Sequence, residues 1–262
     1  MRGRNVAGRN GLDIGAVPDH WREVFAEDDH GIRGAAGLGQ RPGPARFRDR
    51  GEAGRVLARA LAHLAGRDDV VVLALPRGGV PVAYEVARAL DAPLDVFVVR
   101  KLGVPGYPEL AMGAIATGGV LVLEERIIGA LGITREEVQQ VAASELRELE
   151  RREAAYRGGR EPLDLTGKTV ILIDDGLATG STMRAAALAV RQRNPARIVV
   201  AVPVAAEETC DQFRDVVDEV VCVLTPRPFH AVGLWYEDFS QTSDEEVREL
   251  LRRAAARAET RR

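Results

Sequence analysis

Histidine, cysteine and aromatic residues are scarce in this chain of 262 residues, and each shortage excludes a class of site. The two cysteines, Cys210 and Cys222, lack zinc-site spacing and are too few for a disulfide scaffold. We therefore predict that both are small buried apolar residues of a reducing compartment. The four histidines form no metal-ligand pattern: His20, His30, His63 and His230.

Long apolar runs and a strong net charge are also missing. No run is long enough to span a membrane, and no apolar signal-peptide core follows the first residues, so we expect a cytoplasmic protein without a membrane partner. The formal net charge of −3 disfavours a broad nucleic-acid-binding surface. The length suits one large domain, or a domain with appendages.

Residues 1–46 differ in composition from the rest, with nine glycines and seven arginines against six acidic residues. We predict a disordered extension with at most one helical turn at residues 21–25, and a folded domain over residues 47–262. Contact with RNA is the alternative for the extension, but the balancing acids and the lack of interleaved aromatics disfavour it. An upstream start-site artefact is a further alternative.

The most informative stretch begins with residues 170–173, which are apolar and mostly β-branched and so predict a buried strand. Asp174 and Asp175 follow where that strand should end. Two carboxylates at this position suit the hydroxyls of a polyol or a metal ion. An ordinary strand followed by a polar turn is the alternative.

Small and hydroxyl-bearing residues then precede a helical pattern. Gly180 would let the backbone approach a ligand closely, and Ser181 and Thr182 would add hydroxyl donors. The free amides and the dipole at a helix start favour negative charge. The turn therefore predicts a phosphate site beside the two carboxylates.

Residues 173–182 read Ile-Asp-Asp-Gly-Leu-Ala-Thr-Gly-Ser-Thr and resemble the phosphoribosyl-pyrophosphate (PRPP) motif of type I phosphoribosyltransferases. The Leu-Ala-Thr-Gly variant is most similar to adenine phosphoribosyltransferases. The resemblance implies an α/β fold, with a doubly wound, mostly parallel sheet flanked by helices and a small C-terminal hood. It implies that Asp174 and Asp175 hold the ribose hydroxyls of PRPP. The residues that would cradle the 5′-phosphate are Ala178, Thr179, Gly180, Ser181 and Thr182.

A second turn of similar composition follows the apolar run 70–75, which predicts another buried strand. Residues 76–79 read Pro-Arg-Gly-Gly and by themselves favour a plain glycine turn. Beside the first motif they resemble the pyrophosphate loop of the same family, which implies PRPP contacts for Arg77 and Gly78. An unusual peptide conformation in this turn is a further hypothesis.

Two adjacent cations, Arg100 and Lys101, follow the predicted strand 94–99. Their charge suits pyrophosphate. The glycine- and proline-rich stretch 102–109 resembles the mobile loop that closes over the reacting pyrophosphate in this family. An ordinary loop is the alternative.

The rest of the pattern alternates strands with helices and predicts a parallel sheet. Residues 111–115 and 120–123 predict a hairpin, and Thr134 and Glu137 form a capping box that opens a long helix over residues 133–157. This helix is an insertion relative to the minimal family core. It could cover the sheet or mediate the homodimer that we expect.

Aromatic residues concentrate in the stretch 225–240, which resembles the hood that receives the acceptor base in this family. Phe229 and Trp235 are the candidate acceptor-binding residues, because aromatic faces stack on planar heterocycles. Core packing explains them equally well.

The resemblance implies Mg²⁺-dependent transfer of a 5-phosphoribosyl group from PRPP to a nitrogenous base or related acceptor, with Asp174 and Asp175 as direct or substrate-mediated metal ligands. Lys101 would act in catalysis. Ala178 occupies a position that is acidic in hypoxanthine-guanine enzymes and cannot act as a base, so Glu109 is the candidate substitute. A PRPP-sensing regulatory protein without transferase activity is the principal alternative. A PRPP-synthase-like enzyme and a plain phosphosugar-binding module are the others.

Overall fold

The computed structural model describes residues 46–259. Its strands are Val70–Ala74 (β1), Leu94–Val96 (β2), Val99–Val104 (β3), Tyr107–Ala116 (β4), Val120–Leu123 (β5), Thr169–Ile173 (β6), Arg197–Val204 (β7) and Glu219–Leu224 (β8). Its α-helices are Arg50–Ala60 (α1), Gly79–Leu90 (α2), Glu125–Leu131 (α3), Arg135–Arg157 (α4), Ser181–Arg191 (α5), Glu207–Phe213 (α6) and Asp244–Glu259 (α7). The predicted extension 1–46 and its helical turn lie outside the described residues, apart from Arg46.

Five of the strands form a parallel sheet in the order β2-β1-β6-β7-β8. Alternate side chains of β1 point to opposite faces. Val72 belongs to the apolar cluster that includes residues of α1, α2 and α7, and Val71 belongs to the cluster that includes residues of α5 and α6. Helices on both faces explain why the central strands are continuous apolar runs. The predicted doubly wound fold is confirmed.

The strand order reverses between β1 and β6, because β2 extends the sheet on one side and β7 extends it on the other. A crevice opens at such a switch point beyond the carboxyl ends of the strands, where ligands bind in open α/β sheets. The candidate turns after β1 and β6 both emerge at this crevice.

A separate antiparallel sheet has the order β3-β4-β5. The predicted hairpin of residues 111–115 and 120–123 is confirmed as the β4–β5 pair. The stretch 102–109 is not an irregular loop, because most of it belongs to β3 and β4, which meet around Pro105 and Gly106 with Val104 opposite Tyr107. Its glycines and prolines lie at the tip and at a register shift, which concealed the strand pattern in the sequence.

The long helix predicted over residues 133–157 is confirmed as α4, with the capping box of Thr134 and Glu137 at its start. Its last residue, Arg157, places Nε 3.0 Å from both carboxylate oxygens of Asp95 in β2 and donates to the Val96 carbonyl at 2.9 Å. Both charged side chains are buried, so this pair anchors α4 to the edge of the main sheet.

Cys210 of α6 and Cys222 of β8 form a disulfide. The prediction of two unpaired apolar cysteines was therefore wrong. The two residues are twelve positions apart, which gives no pairing signal, and they meet only because α6 packs against β8.

Between residues 46 and 259, every helix is too short or too polar to span a bilayer.

Candidate active site

The two carboxylates predicted from the sequence lie at the carboxyl end of β6. Asp174 Oδ1 accepts a hydrogen bond of 2.9 Å from the Asp175 amide. Burial raises the pKa of Asp174 well above its ordinary value, and the adjacent Asp175 charge raises it further. Burial also raises the pKa of Asp175, although the Arg50 guanidinium opposes that shift. Two partly buried carboxylates that lie beside the Arg50 guanidinium favour a ligand that supplies hydroxyl donors or further positive charge.

The turn after β1 packs directly against this pair. A Cβ atom on Gly78 would lie 2.0 Å from Asp175 Oδ2, and one on Gly79 would lie 2.7 Å from the Ile173 carbonyl oxygen. Only glycine fits at either position without a shift of these neighbours. The turn after β1 and the turn after β6 are therefore in direct contact. The Pro76–Arg77 peptide is cis, which confirms the unusual peptide expected in this turn.

The loop after the acidic pair has the geometry of an anion cradle. Gly180 has φ of 69° and caps α5, so that the amides of the first turn open onto the loop. The Thr209 hydroxyl of α6 donates to the Ala178 carbonyl at 2.7 Å, and this hydrogen bond holds the loop against α6. The side chains exposed along it are those of Ala178, Thr179, Ser181 and Thr182.

Arg50 is a site residue that the sequence did not indicate. Its Nε donates to Asp175 Oδ2 at 2.8 Å, and its NH1 donates to the Ser240 carbonyl at 2.7 Å. The guanidinium carbon lies 4.0 Å from the ring centroid of Phe239. Arg50 thus joins the first helix, the acidic pair and the segment before α7.

Tyr236 is a second residue missed from the sequence. Its hydroxyl donates to the Asp175 carbonyl at 2.6 Å, and burial raises its pKa, so it stays protonated as a donor. A Cβ atom on Gly176 would lie 2.5 Å from Val232 Cγ1, because Val232 of the segment 225–240 packs onto the chain directly after the acidic pair. Residues 225–240, for which we predict a hood, therefore pack against the acidic pair.

Phe229 and Trp235 are both partly buried and pack on the small cluster that contains Phe47 and Tyr236. The larger exposed apolar surface of this segment belongs to Leu234, at 53% exposure, and to Phe239, at 37%. Packing on this cluster thus explains the positions of both predicted acceptor-binding residues.

The predicted cations of β3 lie on the antiparallel sheet. Arg100 pairs with Glu145 of α4 through Nε and NH2 at 2.7 and 2.6 Å. Lys101 Nζ lies 3.7 Å from the carboxylate of Glu109, whose side chain is fully exposed near the hairpin tip. Arg77 lies on the pyrophosphate-type turn, with NH1 3.7 Å from Asp244 Oδ1 at the start of α7. Each of these cations contacts a carboxylate outside the acidic pair.

No group of three or more His, Cys, Asp or Glu side chains able to hold a metal ion occurs between residues 46 and 259. Asp174 and Asp175 still fit Mg²⁺, which proteins commonly bind through one or two carboxylates together with substrate phosphates. At such a site a phosphorylated ligand would complete the coordination of the ion.

A model of the phosphoribosyl transferase domain family matches residues 50–232. This chain is similar to a Mycobacterium tuberculosis protein named "Putative phosphoribosyl transferase", found in strains CDC 1551 / Oshkosh and H37Rv. The two sequences are 50% identical over 208 residues, which cover 79% of this chain and 47% of the relative. This chain therefore spans about half the length of these curated relatives. The solved structure of the protein TT1426 from Thermus thermophilus is 46% identical with a TM-score of 0.71, covering 79% of this chain and 97% of that one.

Proposed function

Because this chain belongs to the phosphoribosyl transferase domain family, we propose that it transfers a 5-phosphoribosyl group from PRPP to an acceptor and releases pyrophosphate. The observation that carries the proposal is the contact between Gly78 and Asp175, which joins the pyrophosphate-type turn to the acidic pair at the switch point of the sheet. A donor with a polyol beside a diphosphate matches that arrangement.

The phosphate loop and the acidic pair would bind the donor together. Asp174 and Asp175 would accept the ribose hydroxyls, while residues 178–182 would hold the 5′-phosphate with amides and hydroxyls. As the bond from C1 to pyrophosphate breaks, the two carboxylates would stabilise positive charge on the sugar. Bound Mg²⁺ would neutralise charge on the pyrophosphate and on the ribose oxygens.

The leaving group would be stabilised by Arg77, Arg100 and Lys101. Arg77 and Lys101 pair with exposed carboxylates at 3.7 Å, and such pairs contribute only about 0–1 kcal/mol, so a diphosphate can displace those carboxylates. Arg100 would exchange its closer partner, the Glu145 carboxylate, for the diphosphate. The β3–β4 hairpin, which bears Arg100 and Lys101, would exclude water from the reaction by closing over the crevice.

The acceptor we propose is a nitrogenous base bound at the hood. Ala178 supplies no proton acceptor, so Glu109 would take that role if the hairpin carries it to the crevice. The Glu109 side chain is fully exposed, and this observation favours the second candidate function, a PRPP-sensing protein without transferase activity. A cytoplasmic homodimer is part of the proposal, and sedimentation of the full chain tests the dimer.

Pyrophosphate release separates the two candidates. The full chain is incubated with PRPP, Mg²⁺ and each of a panel of purine and pyrimidine bases, and the pyrophosphate formed is measured. Release that depends on one base and is lost in Asp174→Asn supports the transferase. PRPP binding without release for any base supports the sensor.

A further inference from the structure

A cleft lies beside the pyrophosphate-type turn, where the C-terminal half of α4 meets the start of α7. It does not involve the acidic pair or the phosphate loop. The side chains that line it are Arg77, Arg151, Arg152, Ala155, Tyr156 and Asp244. Three arginine side chains thus line one small cleft.

The carboxylates that hold these arginines are weak partners. Glu148 accepts from Arg151 at 2.7 and 2.9 Å and from Arg152 at 2.8 Å, so one side chain balances two cations. Arg151 is 68% exposed and Arg152 is 42% exposed, and exposed pairs of this kind are screened by water and salt. An anion with several oxygens can therefore replace the carboxylate.

The position of the Asp244 carboxylate marks where such an anion would lie. Asp244 Oδ1 accepts from the Tyr156 hydroxyl at 2.9 Å and lies 3.7 Å from Arg77 NH1. Burial raises the pKa of Tyr156, so the hydroxyl remains a donor. A phosphate oxygen could accept from the same two groups, and the fork of an arginine matches phosphate geometry.

We propose that this cleft binds a diphosphate-bearing anion through Arg77, Arg151, Arg152 and the Tyr156 hydroxyl. Arg77 belongs to the same turn as Gly78, which packs on Asp175, so occupation of the cleft acts on the donor site. The diphosphate is either free pyrophosphate or the diphosphate of PRPP. The inference does not require transferase activity.

The test is calorimetric titration of inorganic pyrophosphate, without Mg²⁺, into the full chain and two double variants. The first is Arg151→Gln/Arg152→Gln. The matched control is Arg252→Gln/Arg253→Gln, because Arg252 and Arg253 pair with Glu249 in the same spacing at 2.7–2.9 Å but do not line the cleft.

We expect about a tenfold or greater loss of pyrophosphate affinity in the first variant, with wild-type affinity in the arginine control. Asp244→Asn, which removes the competing charge, should raise the affinity several-fold. No binding by the native chain, or equal losses in the first variant and the arginine control, overturns the proposal.

PRPP titration of the same variants identifies the source of the diphosphate. Equal losses for PRPP and pyrophosphate in Arg151→Gln/Arg152→Gln mean that the cleft holds the diphosphate of the donor. Unchanged PRPP affinity means that it is a separate effector site. Pyrophosphate binding that needs Arg151 and Arg152 in a chain that does not bind PRPP would sink the proposed function and leave this inference standing.

Discussion

Arg50 and Asp175 form an ion pair of 2.8 Å between side chains 125 residues apart in the sequence. Their side chains are only 11% and 15% exposed, so the pair is shielded from solvent. Because Arg50 also bonds to the Ser240 carbonyl, it connects α1 with both the acidic pair and the segment before α7. The carboxylate expected to orient the ribose is therefore positioned by the first helix of the domain.

Replacement of Arg50 should destabilise the fold as well as the site. We expect Arg50→Met to lower the free energy of unfolding by on the order of 3 kcal/mol, because it leaves a shielded carboxylate without its partner. Urea denaturation measures the effect. Arg55→Met is the matched control, since Arg55 lies in the same helix but is 42% exposed and pairs with Glu85 at 3.7 Å. Equal effects of the two variants would contradict the role assigned to Arg50.

Stability should depend on pH through Asp174. Its pKa in the folded protein is raised above the ordinary value of 3.8, so the folded state binds more protons than the unfolded state between the two values. The free energy of unfolding should therefore fall as pH rises through that window. Urea midpoints at pH 5 and pH 8 should differ less in Asp174→Asn than in the native chain. A pH dependence that is the same in both would contradict the raised pKa.

Gly78→Ala should damage the donor site because its Cβ would lie 2.0 Å from Asp175 Oδ2. Overpacking of this kind costs about 1–3 kcal/mol. We expect a similar loss in PRPP binding energy, measured by calorimetry. Gly129→Ala is the control, because nothing lies within 4 Å of a Cβ there, and it should leave PRPP affinity unchanged. Native PRPP affinity in Gly78→Ala would show that the two turns are not coupled.

Thr209 should support the phosphate loop through its bond to the Ala178 carbonyl. Thr209→Val keeps the shape and removes the donor, at a cost of about 1 kcal/mol in stability. PRPP affinity should fall several-fold in this variant and be retained in Thr209→Ser, which keeps the hydroxyl. Calorimetry measures the PRPP affinity of both variants. Equal PRPP affinities in Thr209→Val and Thr209→Ser would show that this hydrogen bond does not contribute to PRPP binding.

The strands and turns of the proposed donor site could be predicted because their signals are local. Residues 70–75 and 170–173 are uninterrupted apolar runs, and Asp174, Asp175 and Gly180 follow within one strand–turn–helix unit. A parallel sheet then brings the ends of neighbouring strands to the same edge, whatever lies between them in the chain.

The supporting residues could not be predicted because their partners are distant in sequence. Arg50 and Tyr236 reach Asp175 across 125 and 61 residues, and neither belongs to a motif. The Cys210–Cys222 pairing depended on the packing of α6 beside β8. The hairpin at residues 102–109 was hidden because its glycines and prolines are also the residues of loops.

Titration of PRPP into the full chain with and without Mg²⁺ tests the central claim most directly. The native chain should bind PRPP in a Mg²⁺-dependent manner, and Asp174→Asn/Asp175→Asn should lose that binding while remaining folded by circular dichroism. Absence of PRPP binding by the folded native chain, or undiminished binding by the double variant, would contradict a donor site built on these two carboxylates.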